Sequence, residues 1–204
     1  MTEAPLFLAL HSSSETFGVA ISDAAGHRDV ATFADGRGLS NTLVTRVESL
    51  LPRERWRDLA GLAVATGPGG FTGTRLSVVL ARTLAQQLAC PLLGVSSYAL
   101  MAARLHVLLP PAQQLGPFWI CRELPRRGTV AGNYRVEADT VRELAAPHLL
   151  KPEQKVAPAL EASDDVATDV ERLLTLLKAM HAAGEALPWQ GVLPIYPTSP
   201  VGPV

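Results

Sequence analysis

The sequence predicts an α/β domain in which a mixed sheet carries helices on its faces, and three observations predict it. Leu6-Phe7-Leu8-Ala9-Leu10 is a continuous apolar run, the pattern of a strand buried on both faces. Phe17, Val19 and Ile21 then alternate with Gly18, Ala20 and Ser22, and the hairpin signal Asp23-Ala24-Ala25-Gly26 follows. Further on, short apolar runs alternate with stretches of helical spacing, in the order βββαβαβα.

Taken in order, the opening run and the alternating run are joined by the polar turn His11 to Glu15. Arg28 to Phe33 returns as the third strand of a meander. A helix is expected from Ser40 to Leu51, with Ser40 as its cap and Leu43, Val47 and Leu50 on one stripe. Pro52 and the charged segment Arg53 to Asp58 close it. Leu62 to Ala65 is a short buried strand that runs into a glycine-rich segment, and a long helix continues to Ala89. Pro91 to Val95 is the next strand, and Ser96-Ser97 cap a helix that reaches Leu109.

Pro110 and Pro111 mark a boundary. Beyond it, Phe118 to Cys121 and Thr129 to Val136 read as strands flanking the basic turn Arg126-Arg127-Gly128. Glu137 to Glu161 shows poor periodicity and reads as turns. Asp164 and Asp165 begin a helix whose Val166, Val170, Leu173, Leu174 and Leu177 fall at helical spacing, and Gly184 is placed to end it. The proline-rich stretch from Trp189 to Val204 reads as extended tail.

Composition narrows function. Of the 204 residues 48% are hydrophobic, enough for a sizeable core, and the net charge is −1. A chain that gripped nucleic acid unaided would show a basic excess, because neutralised phosphates supply most of that affinity. Cys90 and Cys121 lack CxxC spacing and read as buried small hydrophobes in a reducing compartment. No signal peptide is visible, and Leu76 to Ala89 is interrupted by Arg82, Gln86 and Gln87, so the expectation is a soluble, cytoplasmic chain without a membrane span.

The segment Gly67-Pro68-Gly69-Gly70-Phe71-Thr72-Gly73-Thr74-Arg75 is the most informative on the chain. A strand, a loop of glycines and a helix start together form an anion cradle of backbone N–H groups at a positive helix end, with Arg75 in the first turn adding charge. It is not a Walker A loop, since no Gly-Lys-Ser/Thr follows. Nor is it the dinucleotide fingerprint, because Gly67, Gly69 and Gly73 are spaced one residue too far. Without a ligand, the same glycines would supply positive-φ turns and close helix-to-strand contact.

This run resembles the GPGSFTGLR signature of the TsaB (YeaZ) family. Leu8 to Ser22 is similar to that family's opening hairpin, and Leu92 to Ser97 to its strand and cap after the long helix. Glu123 with Arg126-Arg127-Gly128 resembles a looser form of its acidic-Arg-Arg-Gly segment, and Pro194-Ile195-Tyr196 its closing Pro-x-Tyr. The likeness is strong over residues 6 to 105 and thin after 110. It implies an ASKHA fold, the RNase H-like architecture of actin, Hsp70 and sugar kinases. Three parts are then expected: an N-terminal ASKHA-like lobe over 1–109, a reduced C-terminal lobe over 110–188, and the tail over 189–204.

The resemblance also implies a role: a non-catalytic scaffold that binds and activates a TsaD-like subunit. That subunit carries the metal and the transferase site for N6-threonylcarbamoyladenosine next to the tRNA anticodon. A TsaE-like ATPase joins the pair, ATP and metal belong to these partners, and tRNA is met only through the complex.

The residues themselves supply no catalytic or metal constellation. His11, His27, His106, His148 and His181 are isolated in sequence, without ligand spacing. Ser12 to Ser14 lack a GxSxG elbow. The family's opening strand ends in Asp where His11 stands here, and its first helix opens with His-Ser where Leu39-Ser40 stands. Both departures weigh against a nucleotide site.

Two helices carry more hydrophobic positions than one apolar arc needs. Leu43, Val44, Val47 and Leu50 on the first, with Leu76, Val79, Leu80 and Thr83 on the second, are the expected partner interface, used with TsaD or in a homodimer when TsaD is absent. Gly67, Gly69, Gly70, Thr72, Gly73 and Arg75 form the expected loop. A small ATP-binding ASKHA phosphotransferase or ATPase working through that loop, and a self-sufficient homodimeric binding module, are the alternatives.

Overall fold

In the computed structural model, which describes residues 5–23, 25–138 and 140–197, the chain forms two compact units. The described residues up to Val95, with Asp165–Pro194, make the first; Ser96–Asp164, with the described residues from Ile195 on, make the second.

The first unit contains β1 (Leu6–His11), β2 (Phe17–Ser22), β3 (Arg28–Phe33), α1 (Leu39–Leu50), β4 (Leu59–Ala65), α2 (Phe71–Leu88), β5 (Leu92–Val95) and α4 (Val166–Ala182). Its sheet runs β3-β2-β1-β4-β5; the meander is antiparallel, and β4 and β5 add in parallel. The alternation within each strand sorts residues by size onto two faces. Leu6, Leu8, Leu10, Phe17, Val19, Ile21, Leu62 and Val64 form one core with Leu39, Leu43 and Val47 of α1 and Val78, Ala81 and Leu84 of α2. The opposite face carries Ala9, Gly18, Ala20, Gly61 and Ala63, and α4 lies on it. A Cβ at Gly18 would stand 2.6 Å from Val166 Cγ1, so the helix approaches to backbone distance.

Helix ends follow local chemistry. Ser96 accepts from the Ala99 N–H at 3.2 Å, as its place before the apolar run requires. Asp165 caps α4 through the Thr168 N–H at 3.2 Å, and Gly184 adopts φ +70° just after the helix. Ser40 does not cap α1. The chain is already turning in a 3-10 segment at Gly36–Gly38, and the helix continues from it at Leu39 with no side-chain cap.

The stretch expected as tail opens as part of the first unit. Just before it, Leu92 N–H donates to Leu187 O at 2.9 Å at the outer edge of β5. Trp189–Gly191 forms a helical turn, with the Arg82 guanidinium 5.4 Å over the Trp189 ring, and Arg82 Nη1 donates to Val192 O at 2.8 Å. Val192 is buried in the core because an apolar side chain there closes over Gly94. Thr198–Val204 lie outside the described residues.

The second unit is smaller: α3 (Ser97–Leu105) on one face of a sheet ordered β8-β7-β6-β9, from β6 (Phe118–Leu124), β7 (Gly128–Glu137), β8 (Thr140–Leu149) and β9 (Ala159–Glu161). Tyr98, Met101, Leu105, Phe118, Ile120, Val130 and Tyr134 fill its core. Strands β8 and β9 occupy the span expected to be turns. β8 is an edge strand, mostly exposed, with register shifts against β7 and Pro147 within it, so no alternation marks it in sequence. The boundaries expected at 109/110 and 188/189 are not those of the two units, because α3 packs on the second sheet while α4 returns to the first.

Candidate functional site

The glycine-rich loop leaves β4 at Ala65, and Thr66 N–H donates to Val95 O at 2.8 Å. Gly67 adopts φ +92°, a conformation that favours glycine. The next glycine is fixed by proximity: a Cβ on Gly69 would stand 1.9 Å from the backbone oxygen of Ser13. Gly70 N–H donates to that same oxygen at 2.9 Å. Gly73 meets the other half of the turn, since its Cβ would lie 2.7 Å from Ser12 O, and Ser12 Oγ donates to Gly73 O at 2.8 Å. Ser12 Oγ and Ser77 Oγ are 2.6 Å apart and both buried. Gly70 itself has open space where a Cβ would go, and φ −56°.

The loop therefore packs closely on the β1–β2 turn, which takes up the Gly70 N–H. Through Ser12 and Ser13 the loop holds that turn onto the start of α2. Thr72, Gly73 and Arg75 belong to the helix rather than the loop. Arg75 is exposed at the fifth helical residue, a turn further in than the sequence suggested. His11 is fully buried at the end of β1. Among the described residues, no group of three or more His, Cys, Asp or Glu side chains could hold a metal ion, and no helix is long and apolar enough to cross a membrane. Cys90 and Cys121 are free and only half-buried, more open than expected; burial still pushes both thiols up from their ordinary value.

The eight residues expected at a partner interface separate into three groups. Leu43 and Val47 lie in the core, 6% and 0% exposed, because they seat α1 on the sheet; the expectation that they face outward is corrected. Leu50, Leu76 and Leu80 are half-buried against that core. Val44, Val79 and Thr83 face solvent, Val79 at 52%, and Thr83 turns its hydroxyl back onto Val79 O at 2.9 Å. Thus α1 and α2, which pack against each other, each leave a valine exposed, Val44 and Val79.

Two features of this region escaped the sequence. Phe71, the first residue of α2, is an aromatic left 39% exposed. Asp35 accepts from Arg46 Nε and Nη2 at 2.9 and 2.8 Å and from Thr42 Oγ1 at 2.9 Å, while the guanidinium lies 4.5 Å over Phe33. The Arg46 hydrogen bonds hold the Asp35 carboxyl below its ordinary value. Asp35, Thr42 and Arg46 are 7 and 11 residues apart, so only the fold joins them, and the clasp fixes how α1 leaves the meander.

Residues 37–186, well over half of the chain, match the family model "TsaD: tRNA N6-adenosine threonylcarbamoyltransferase". The tRNA threonylcarbamoyladenosine biosynthesis protein TsaB of Bacillus subtilis (strain 168) is 49% identical over 47 residues, a stretch covering 23% of this chain and only 20% of that protein's length. Among solved structures, an uncharacterised protein with similarity to peptidase YeaZ from Pseudomonas aeruginosa is 22% identical, with a TM-score of 0.73 over 95% of this chain and 100% of that one. YeaZ from Pseudomonas aeruginosa is also 22% identical, with a TM-score of 0.68 over 94% and 99%. These two likenesses establish the fold, which is the ASKHA type with a small second lobe. With the signature at Gly67 to Arg75 and the family match over most of its length, the chain belongs to the TsaD threonylcarbamoyltransferase family, as a TsaB/YeaZ-type member.

Proposed function

We propose that this chain is a non-catalytic partner subunit that binds and activates a TsaD-like subunit in making N6-threonylcarbamoyladenosine in tRNA. The observation that carries the reading is the outer face of α1 and α2, where Val44 is 37% and Val79 52% exposed although both helices are already seated on the sheet by other residues. Exposed valines on two packed helices are what a helical partner would cover. The contacts of the glycine loop with Ser12 and Ser13 argue in the same direction, since they give its glycines a role in the fold. In this reading the same face makes a homodimer when the partner is absent, and a TsaE-like ATPase joins the assembled pair. ATP and metal reside on those partners, and the assembly works in the cytoplasm.

The test is co-expression with a TsaD-type protein. Val79→Glu and Val44→Glu each place a carboxylate at a site that is open in the free chain and dry in the complex. Both variants are expected to keep the parent's circular dichroism and melting temperature while capture of the TsaD-type protein falls at least tenfold. Undiminished capture by both would remove this face from the interface.

A further inference from the structure

Helix α2 carries charge of one sign only. Phe71–Leu88 holds two arginines, Arg75 and Arg82, and no Asp or Glu. Arg75, Val79 and Arg82 stand at i, i+4 and i+7, so the two cations flank the exposed valine along one side of the helix. Arg75 is exposed, and no hydrogen bond or ion pair engages its side chain among the described residues. Arg82 is half-buried. Its guanidinium lies over Trp189 and gives one N–H to Val192 O, a neutral acceptor that leaves the charge unmatched.

The surroundings do not supply the missing carboxylates. Of the elements that pack on α2, the strands β1, β4 and β5, the 3-10 segment Gly36–Gly38 and the turn Trp189–Gly191 contain no acid. In α1, Glu48 already accepts from Arg53 Nε at 2.7 Å. Asp35, ahead of α1, is held by Arg46. Glu15 stands against Gly36 and forms no ion pair with either arginine among the described residues.

We infer that the partner-subunit surface covering α2 is acidic, setting carboxylates against Arg75 and Arg82 and an apolar side chain against Val79. This rests on the reading above that α1 and α2 meet the partner. Guanidinium and carboxylate pair through two parallel N–H···O bonds, so the contact fixes register as well as attraction. Charge complementarity chooses this occupant over a second copy of the chain. Self-pairing presents α1 and α2 to the same two helices, where Glu48 is already taken, and α2 against α2 sets arginines near arginines. Opposite charges across an interface steer approach, and like charges suppress the wrong partner. The valines accept any apolar cover, so the arginines carry the choice of partner.

The experiment measures two affinities of the full chain side by side: capture of a TsaD-type protein by biolayer interferometry, and self-association by sedimentation velocity. The variants are Arg75→Glu, Arg75→Lys and Val79→Glu, each at low and high salt. Arg75→Glu should melt with the parent, because the residue is exposed and unengaged. Its capture should fall at least tenfold while self-association holds or tightens, since the new carboxylate gives the other copy's arginines an acid to meet. Arg75→Lys keeps the cation and should retain capture to within about fivefold. Parent capture should weaken as salt rises, and Arg75→Glu should lose that dependence. Capture by Arg75→Glu equal to the parent's, or no capture by the parent, overturns the inference. Self-association that falls as far as capture assigns the arginines to a second copy and also overturns it. Val79→Glu judges the underlying reading separately: if it alone loses capture, the partner face stands and the acidic contact falls. If Arg75→Glu alone loses capture, the acidic contact stands and the valine contact falls.

Discussion

At the scale of single residues, neighbouring glycines of one signature have different jobs. A Cβ on Gly69 meets a backbone oxygen at 1.9 Å, which no rotamer change can relieve, whereas Gly70 faces open space. Gly69→Ala is therefore expected to destabilise the fold by about 1–3 kcal/mol, the range for overpacking and forced backbone shifts. Gly70→Ala should stay within about 0.5 kcal/mol of the parent, like a surface change away from special features. Urea unfolding of the two variants checks this, and equal midpoints would mean that the loop does not lock the β1–β2 turn. The sequence marked all four glycines alike, because composition reports the need for small residues and not which atom comes near.

At the scale of elements, α1 shows how one helix divides its labour between adjacent residues. Val47 is fully buried under the sheet while Val44, less than one turn away, is open. Val47→Glu should bury an unpaired carboxylate and cost several kcal/mol, of the order of 3–5. Its circular dichroism should show a protein largely unfolded at 37 °C, in contrast to the folded Val44→Glu. A folded, soluble Val47→Glu chain would place that residue outside the core. The apolar excess on both helices was visible in sequence. Which members point inward was not, because Leu43, Val44 and Val47 are equally apolar and only the direction of the sheet chooses among them. Strand β8 escaped for the complementary reason: an edge strand with shifted register buries too little to leave a pattern.

At the scale of the whole molecule, the first unit is discontinuous. Its sheet is complete by Val95, yet the face of Ala9, Gly18, Ala20, Gly61 and Ala63 is covered only when α4 returns after the second unit. A fragment ending at Leu109 should therefore bind hydrophobic dyes and lack a cooperative thermal transition. Residues 165–194 joined after Val95 by a short flexible linker should restore the transition. A fragment 1–109 that melts cooperatively like the full chain would show that the helix is dispensable.

The sequence by itself determined the meander, the order of strands and helices through α3, the caps at Ser96 and Asp165 and the glycine signature. These depend on periodicity, turn chemistry and hydrogen bonds between residues a few positions apart. The tertiary structure alone decided that Ser13 packs against Gly69 and takes the Gly70 N–H, that Asp35 and Arg46 clasp, that Val192 closes over Gly94 and that α4 belongs with the first sheet. Each of these joins parts of the chain that local patterns do not link. Their free energy comes from packing and hydrogen bonds that exist only once the distant segment arrives.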